Sequence, residues 1–243
     1  MDLGCLILHE AHDEDRLILL RERMLAEGEQ RNPVIVSPQE DRYLVLDGAH
    51  RVRALAEISS PLALVQTVYP PEKAEGWGHL LGSMETAELR NLQGIEASEE
   101  PGHTPLAQVE TAGDGTIFLS PTGEGLRGLV RALWNLQSLY PKGVVVRRVE
   151  PQGAVRLSPG GALIRYRGFT PEELAAIVDS GTVLPAGITR FRVRERVLGV
   201  NYPLVDMTGT DVDAQNDKLQ EYVHRRWNEG RVRLYAEPVV LFE

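Results

Sequence analysis

Short apolar runs that alternate with capped, helix-like stretches predict an α/β fold for this chain. Three observations carry that expectation. Runs such as "PVIVS", "RYLVL" and "GALIRYRG" are short, rich in β-branched residues and bounded by chain breakers. Stretches such as "DEDRLILLRERMLAEG" and "TPEELAAIVDSG" open on capping residues and end on glycine. The length, 243 residues, makes one large domain or two small ones, with ample chain for a real core.

In chain order, "CLILHE" reads as a strand. Residues 13–28 read as a helix: Asp13 is its N-cap, Leu17, Leu20 and Met24 share a face, and Gly28 suits the C′ position. "PVIVS" is a strand, "PQED" a turn and "RYLVL" the returning strand. A helix over about 49–57 and a strand "LALVQTV" follow. Residues 92–104 are polar and rich in breakers, and read as a linker or large loop. "TIFLS" and "GVVVRRV" read as strands flanking a helix over about 124–140, and "GALIRYRG" as another strand. Thr170, Pro171 and Glu173 stand in capping-box register for the next helix. The loop "TVLPAGITR", a strand "RVLGVNY", a helix over about 211–229 stopped by Gly230, and two strands "RVRLYA" and "VVLFE" complete the chain.

Composition narrows the function classes. No apolar run reaches the roughly 18–20 residues of a membrane span. The first residues, "MDLGCLILHEAHDED", lack a basic leader, which fits a cytoplasmic protein. Cys5 is the only cysteine, so internal disulfides and cysteine-based zinc sites are excluded; a buried, structural role is expected for it. The net charge of −9 argues against nucleic acid as a partner, because phosphate neutralisation drives that affinity.

The chemistry concentrates in "YLVLDGAHRVRALAE", residues 43–57. A strand ends on Asp47, Gly48 turns the chain, and His50 and Arg51 open a helix. A helix N-terminus presents unpaired N–H groups and a positive dipole end, and Gly48 lets a ligand approach the backbone. Gly48, Ala49, His50 and Arg51 therefore read either as a phosphate cradle, with Asp47 placed to hold Mg²⁺, or as an ordinary capped turn. Arg190, Arg192, Arg194 and Arg196 are four arginines in seven positions. A solvated basic loop is the plain reading, and an anion docked nearby the alternative.

"NPVIVSPQEDRYLVLDGAHRVRALAE" resembles the superfamily that contains ParB and sulfiredoxin, in outline over residues 5–68. Sulfiredoxin has a cysteine where this chain has Ala49, and chromosome-partitioning ParB continues into a helix-turn-helix region that has no counterpart here. The free L-serine kinases, archaeal ADP-dependent and bacterial siderophore-cluster types, resemble the chain at four places. These are His9-Glu10; Asp47-Gly48-Ala49-His50-Arg51; Trp77 with His79; and "SGTVLPAGITRFRVRERVLGVNYPL". Three departures accompany the likeness: Ala49 and Phe191 replace histidines, and Gly187 stands where a lysine is usual.

The resemblance implies a ParB/sulfiredoxin-like nucleotide-binding lobe over 1–90 and a second α/β lobe over 91–243, with the active site in the cleft between them. It implies ATP or ADP as donor with Mg²⁺, and phosphorylation of a free amino acid, L-serine above all. Glu10 is then the general base, and Asp47 holds the metal or contacts the serine hydroxyl. His9, Trp77, His79, Thr189 and Arg190 form the amino-acid site, with Arg190 on the substrate carboxylate. A ParB-like nucleotide-binding regulator associated with DNA is the alternative.

Overall fold

A computed structural model describes residues 1–69, 72–102, 105–113, 115–209 and 211–236. The first half carries β1 (Leu6–Leu8), α1 (Glu14–Glu27), β2 (Glu29–Gln30), β3 (Val34–Gln39), β4 (Arg42–Asp47), α2 (Ala49–Glu57), β5 (Val65–Thr67), β6 (Glu75–Gly76), β7 (Gly78–Leu81), β8 (Ile95–Ser98) and β9 (Ala107–Thr111). Then come β10 (Gly115–Pro121), α3 (Gly125–Ser138), β11 (Arg147–Val149), β12 (Ala162–Tyr166), α4 (Pro171–Asp179), β13 (Thr189–Arg190), β14 (Tyr202–Pro203) and α5 (Val212–Asn228). The helices expected from caps form as read. The Asp13 side chain accepts from the Arg16 N–H, Gly28 closes α1 in the left-handed region, and Thr170 and Glu173 make a reciprocal capping box on α4.

Two sheets organise the molecule. The first has the order β1-β4-β3-β5, with β1 parallel to β4 and β3 parallel to β5. Its side chains divide by the period of two: Val34, Val36 and Val45 face a core shared with Leu17 and Met24 of α1 and Val52 and Leu55 of α2. Ile35, Leu44 and Leu46 face the other way, into the core of the second sheet. Burial on both faces is why "PVIVS" is continuously apolar rather than alternating. The second sheet, β11-β7-β12-β9-β10-β8, is antiparallel throughout and is covered by α3 and α4 through Leu129, Leu133, Leu136, Leu174 and Ile177.

Several expectations are corrected. The polar stretch 92–104 is not a plain linker: Ile95–Ser98 pairs with β10 and buries Ile95. The cut expected at residue 90 divides the second sheet, since Gly78–Leu81 already belongs to it, and Tyr202 and Met207 return to the first core. "RVLGVNY" is extended only at its end. Gly199 and Asn201 both adopt positive φ, and their N–H groups bond Asn32 and the Arg31 carbonyl instead of a ladder. Residues 231–236 are exposed and form no strand, and "VVLFE" lies outside the described residues. Cys5 is half-buried rather than buried. No helix among the described residues is long and apolar enough to cross a membrane.

Candidate active site

The parallel pairing of β1 with β4 places Leu8 level with Val45, so His9-Glu10 and Leu46-Asp47 emerge side by side at the same sheet edge. Ligand sites in α/β sheets gather at such carboxyl ends. Here both segments line a cleft of about 840 Å³ whose far wall is Trp77, just before β7, with Arg148, Gly187, Thr189 and Arg190 of the second half. Eight arginines and four acidic residues line it, in a chain with a net charge of −9. That local reversal of sign favours an anionic ligand.

Asp47, Gly48 and α2 form the turn read from the sequence. Gly48 has φ +108°, and a Cβ there would stand 2.8 Å from the Arg51 guanidinium, so only glycine fits. No side chain caps the α2 N-terminus, which leaves its first N–H groups to a ligand. The Asp47 carboxylate meets Arg51 at 3.7 Å and Arg196 at 2.5 Å. Burial pushes its pKa up, but Arg51, Arg196 and Arg148 outweigh that and hold it below the usual carboxylate range. His50 acts differently from expectation: its Nε2 accepts the Asp13 N–H at 3.0 Å, tying α2 to the start of α1. Burial, reinforced by nearby arginines, lowers its pKa to about 4, so in this bond it is a neutral brace with Nε2 as the acceptor.

Glu10 is the centre of a latch between the two halves. Its Oε1 accepts from the Thr189 N–H at 2.6 Å and the Thr189 hydroxyl at 2.5 Å, and its Oε2 from the Gly187 N–H at 3.0 Å. The Thr189 hydroxyl has one proton and gives it to Glu10, so it accepts from His9 Nε2–H at 2.8 Å. Burial holds His9 below its ordinary pKa, against the pull of the Glu10 carboxylate beside it. Backbone bonds between Leu184 and the His9 and Ala11 amide groups run alongside. Thr189, expected to touch substrate, is buried and spent on this latch.

His79 is also corrected. It is 2 % exposed, beneath the Gly187 turn, and does not line the cleft. The Gly187 carbonyl can only accept, so His79 Nε2 donates to it at 2.7 Å, and His79 Nδ1 takes the Tyr140 hydroxyl proton at 2.9 Å. Tyr166 then donates to Tyr140 at 2.6 Å. This buried relay fixes the turn whose N–H holds Glu10, which makes His79 a positioning residue. The position follows from its strand: all four residues of β7 are buried, so its side chains reach cores and not the cleft.

Burial holds His79, like His50, at about 4. Between that value and the ordinary 6.5, the unfolded chain binds protons that the folded chain refuses. Folding stability is therefore expected to be level above about pH 7 and to fall as pH drops from 6.5 towards 4. Urea unfolding across that window checks this. His79→Gln, which keeps a donor for the Gly187 carbonyl, should show a shallower fall, and an unchanged slope would contradict the assignment.

Arg190 lies over the Trp77 ring, 4.8 Å from its centroid, and both line the cleft as expected. Arg190 is not idle, however: it pairs with Glu150 and, at 3.5 Å, with Glu75. A substrate carboxylate would have to share or replace those partners. Arg192 also bonds Glu75, and Arg196 bonds Asp47, so three of the four clustered arginines are matched to acids. Phe191 is buried edge-on against the His9 ring, 5.3 Å away, and closes the apolar side of the site. The sequence reading missed Arg148, carried on β11 opposite His79, because nothing in "GVVVRRV" says which arginine turns to the cleft.

The donor set matches a nucleotide-borne Mg²⁺, which needs one or two carboxylates beside phosphates and water. Asp47 offers such an oxygen at the cradle, and no group of three or more metal-ligating residues exists among the described residues.

No protein-family model matches the chain. It is 25% identical over 244 residues to the ATP-dependent L-serine kinase SbnI of Staphylococcus aureus, covering 97% of this chain and 93% of that protein. The solved structure of SbnI with a C-terminal truncation superposes with a TM-score of 0.79 at 22% identity, over 93% of this chain and 95% of that one. A free serine kinase in complex with AMP superposes with a TM-score of 0.64 at 18% identity, over 85% of this chain and 92% of that one. The chain therefore shares its fold with these serine kinases and is similar in sequence to SbnI along nearly its whole length.

Proposed function

We propose that this protein transfers the terminal phosphoryl group of ATP to the hydroxyl of free L-serine. The observation that carries the reading is the meeting, at one sheet edge, of the uncapped α2 N-terminus at Gly48 with the Glu10 carboxylate. Similarity to an ATP-dependent L-serine kinase over 97% of the chain supports both donor and acceptor. A nucleotide donor and a free amino acid suit work in the cytosol, and the acidic chain is not matched to nucleic acid.

In this reading the first lobe carries the nucleotide and the remainder completes the acceptor pocket. Phosphoryl transfer demands positioning and charge neutralisation more than covalent chemistry. The α2 N–H groups and Arg51 hold the phosphates. When bound, Mg²⁺ held by Asp47 supplies further charge neutralisation. Three hydrogen bonds orient Glu10 and leave an acceptor site on Oε2 for the serine hydroxyl proton. As the serine Oγ–Pγ bond forms, the bond from Pγ to the β,γ-bridging oxygen breaks and its electron pair leaves with ADP.

Incubation of the protein with ATP, Mg²⁺ and serine, with phosphoserine detected by mass spectrometry, tests the reaction; no product over the uncatalysed control overturns it. An acceptor panel tests the pocket. Because Phe191 presents a ring beside His9, the site has an apolar side, and threonine should compete with serine. A methyl in an apolar pocket is worth only about 1–3 kcal/mol, so discrimination should stay below roughly 200-fold. Strict serine preference, of the order of ten-thousandfold, would contradict this account of Phe191.

A further inference from the structure

Arg148 has no place in the scheme so far. It sits on β11, an edge strand, and lines the cleft. Its guanidinium lies against Gly187: a Cβ at that glycine would stand 2.1 Å from Nη2 and 2.8 Å from Cζ. The absence of a side chain at 187 is therefore what admits the guanidinium. Its charge interacts with Glu10 and Asp47, the two carboxylates of the site, as well as with Arg16, His50 and His79. Yet among the described residues it makes no hydrogen bond or ion pair, whereas Arg51, Arg190, Arg192 and Arg196 are each matched to an acid. A guanidinium is a rigid fork of five donors suited to phosphate oxygens. Here that fork stands near the carboxylate assigned to the acceptor and near the one assigned to the donor's phosphates, bonded to neither.

We propose that Arg148 is a catalytic residue that binds the terminal phosphoryl group of the donor and stays with it as it passes to the acceptor hydroxyl. This rests on the kinase reading above. Charge on the equatorial oxygens of a transferring phosphoryl group is stabilised by donors already in place, and an arginine serves that role well. The bonds formed and broken are those already given; Arg148 donates hydrogen bonds and gives up no proton. Gly187 thus has two tasks: its N–H holds Glu10, and its bare Cα makes room for Arg148.

The test compares Arg148→Ala and Arg148→Lys with the parent by calorimetry with AMP, ADP and ATP, together with turnover and thermal unfolding. Loss of charged hydrogen bonds to one phosphate should weaken ATP binding by roughly ten- to hundredfold in Arg148→Ala. AMP and ADP affinity and the melting temperature should stay near parental values, and turnover should fall by at least as much as ATP affinity. Arg148→Lys should recover part of both losses, since it keeps the charge without the fork. Three results overturn the proposal: equal weakening of AMP, ADP and ATP, which makes the role structural; equal weakening of ADP and ATP, which assigns Arg148 to the leaving diphosphate; or parental ATP binding and turnover in Arg148→Ala. A parent protein that binds ATP but makes no phosphoserine overturns the kinase reading instead, and the AMP, ADP and ATP comparison still decides which phosphate Arg148 contacts.

Discussion

Glu10→Gln is expected to phosphorylate serine about 10²- to 10⁴-fold more slowly than the parent, the usual range for losing a general base. Glutamine cannot take the hydroxyl proton. The structure adds a second effect that must be separated from the first. Glu10 accepts on both oxygens, from Thr189 and from the Gly187 N–H. A glutamine that keeps its oxygen towards Thr189 turns an NH₂ group towards the Gly187 N–H, and an unsatisfied donor there costs about 1–3 kcal/mol. Some loss of stability should therefore accompany the loss of rate. Thr189→Val is the control: it removes the hydroxyl donor to Glu10, keeps the backbone one, and leaves the base in place. It should lose stability with a much smaller change in turnover. A Glu10→Gln protein working at the parental rate would sink the base assignment, and a Thr189→Val protein as slow as Glu10→Gln would show that the latch, not the base, sets the rate.

Arg51→Ala should weaken nucleotide binding by about 1.5–3 kcal/mol, the range for hydrogen bonds to a charged group. Arg51 packs against Gly48 at the mouth of α2 and pairs with Asp47 at 3.7 Å. That ion pair involves a carboxylate that is 47% exposed and also held by Arg196, so its removal should cost the fold less than about 1 kcal/mol. The expected signature is a weakened ATP and ADP affinity in calorimetry with nearly parental thermal unfolding. Unchanged affinity for both nucleotides would remove Arg51 from the phosphate site.

What could be read without coordinates was local. Asp13, Gly28, Thr170 and Glu173 act within one turn of their own chain, so the helix ends were visible in order of residues alone. The Gly48 turn was visible for the same reason: strand, glycine and helix are consecutive, and the positive φ is demanded by the turn itself. The motif residues His9-Glu10, Asp47–Arg51, Trp77 and Arg190 all reached one cleft.

What each side chain does there depended on partners far along the chain. Thr189 meets Glu10 across 179 positions, and His79 meets Gly187 across 108, so neither the latch nor the buried relay has a local signature. "GWGHLL" and "GVVVRRV" show no alternation that separates a core face from a cleft face, and only the pairing of β7 with β11 and β12 set His79 beneath the Gly187 turn and left Arg148, its neighbour on the edge strand, to reach the cleft. The sequence by itself determined the local chemistry of turns and caps, because those forces act over a few residues. Tertiary structure alone decided which polar groups are spent on holding the two halves together and which still face the cleft, because hydrogen-bond partners are assigned by packing and not by distance along the chain.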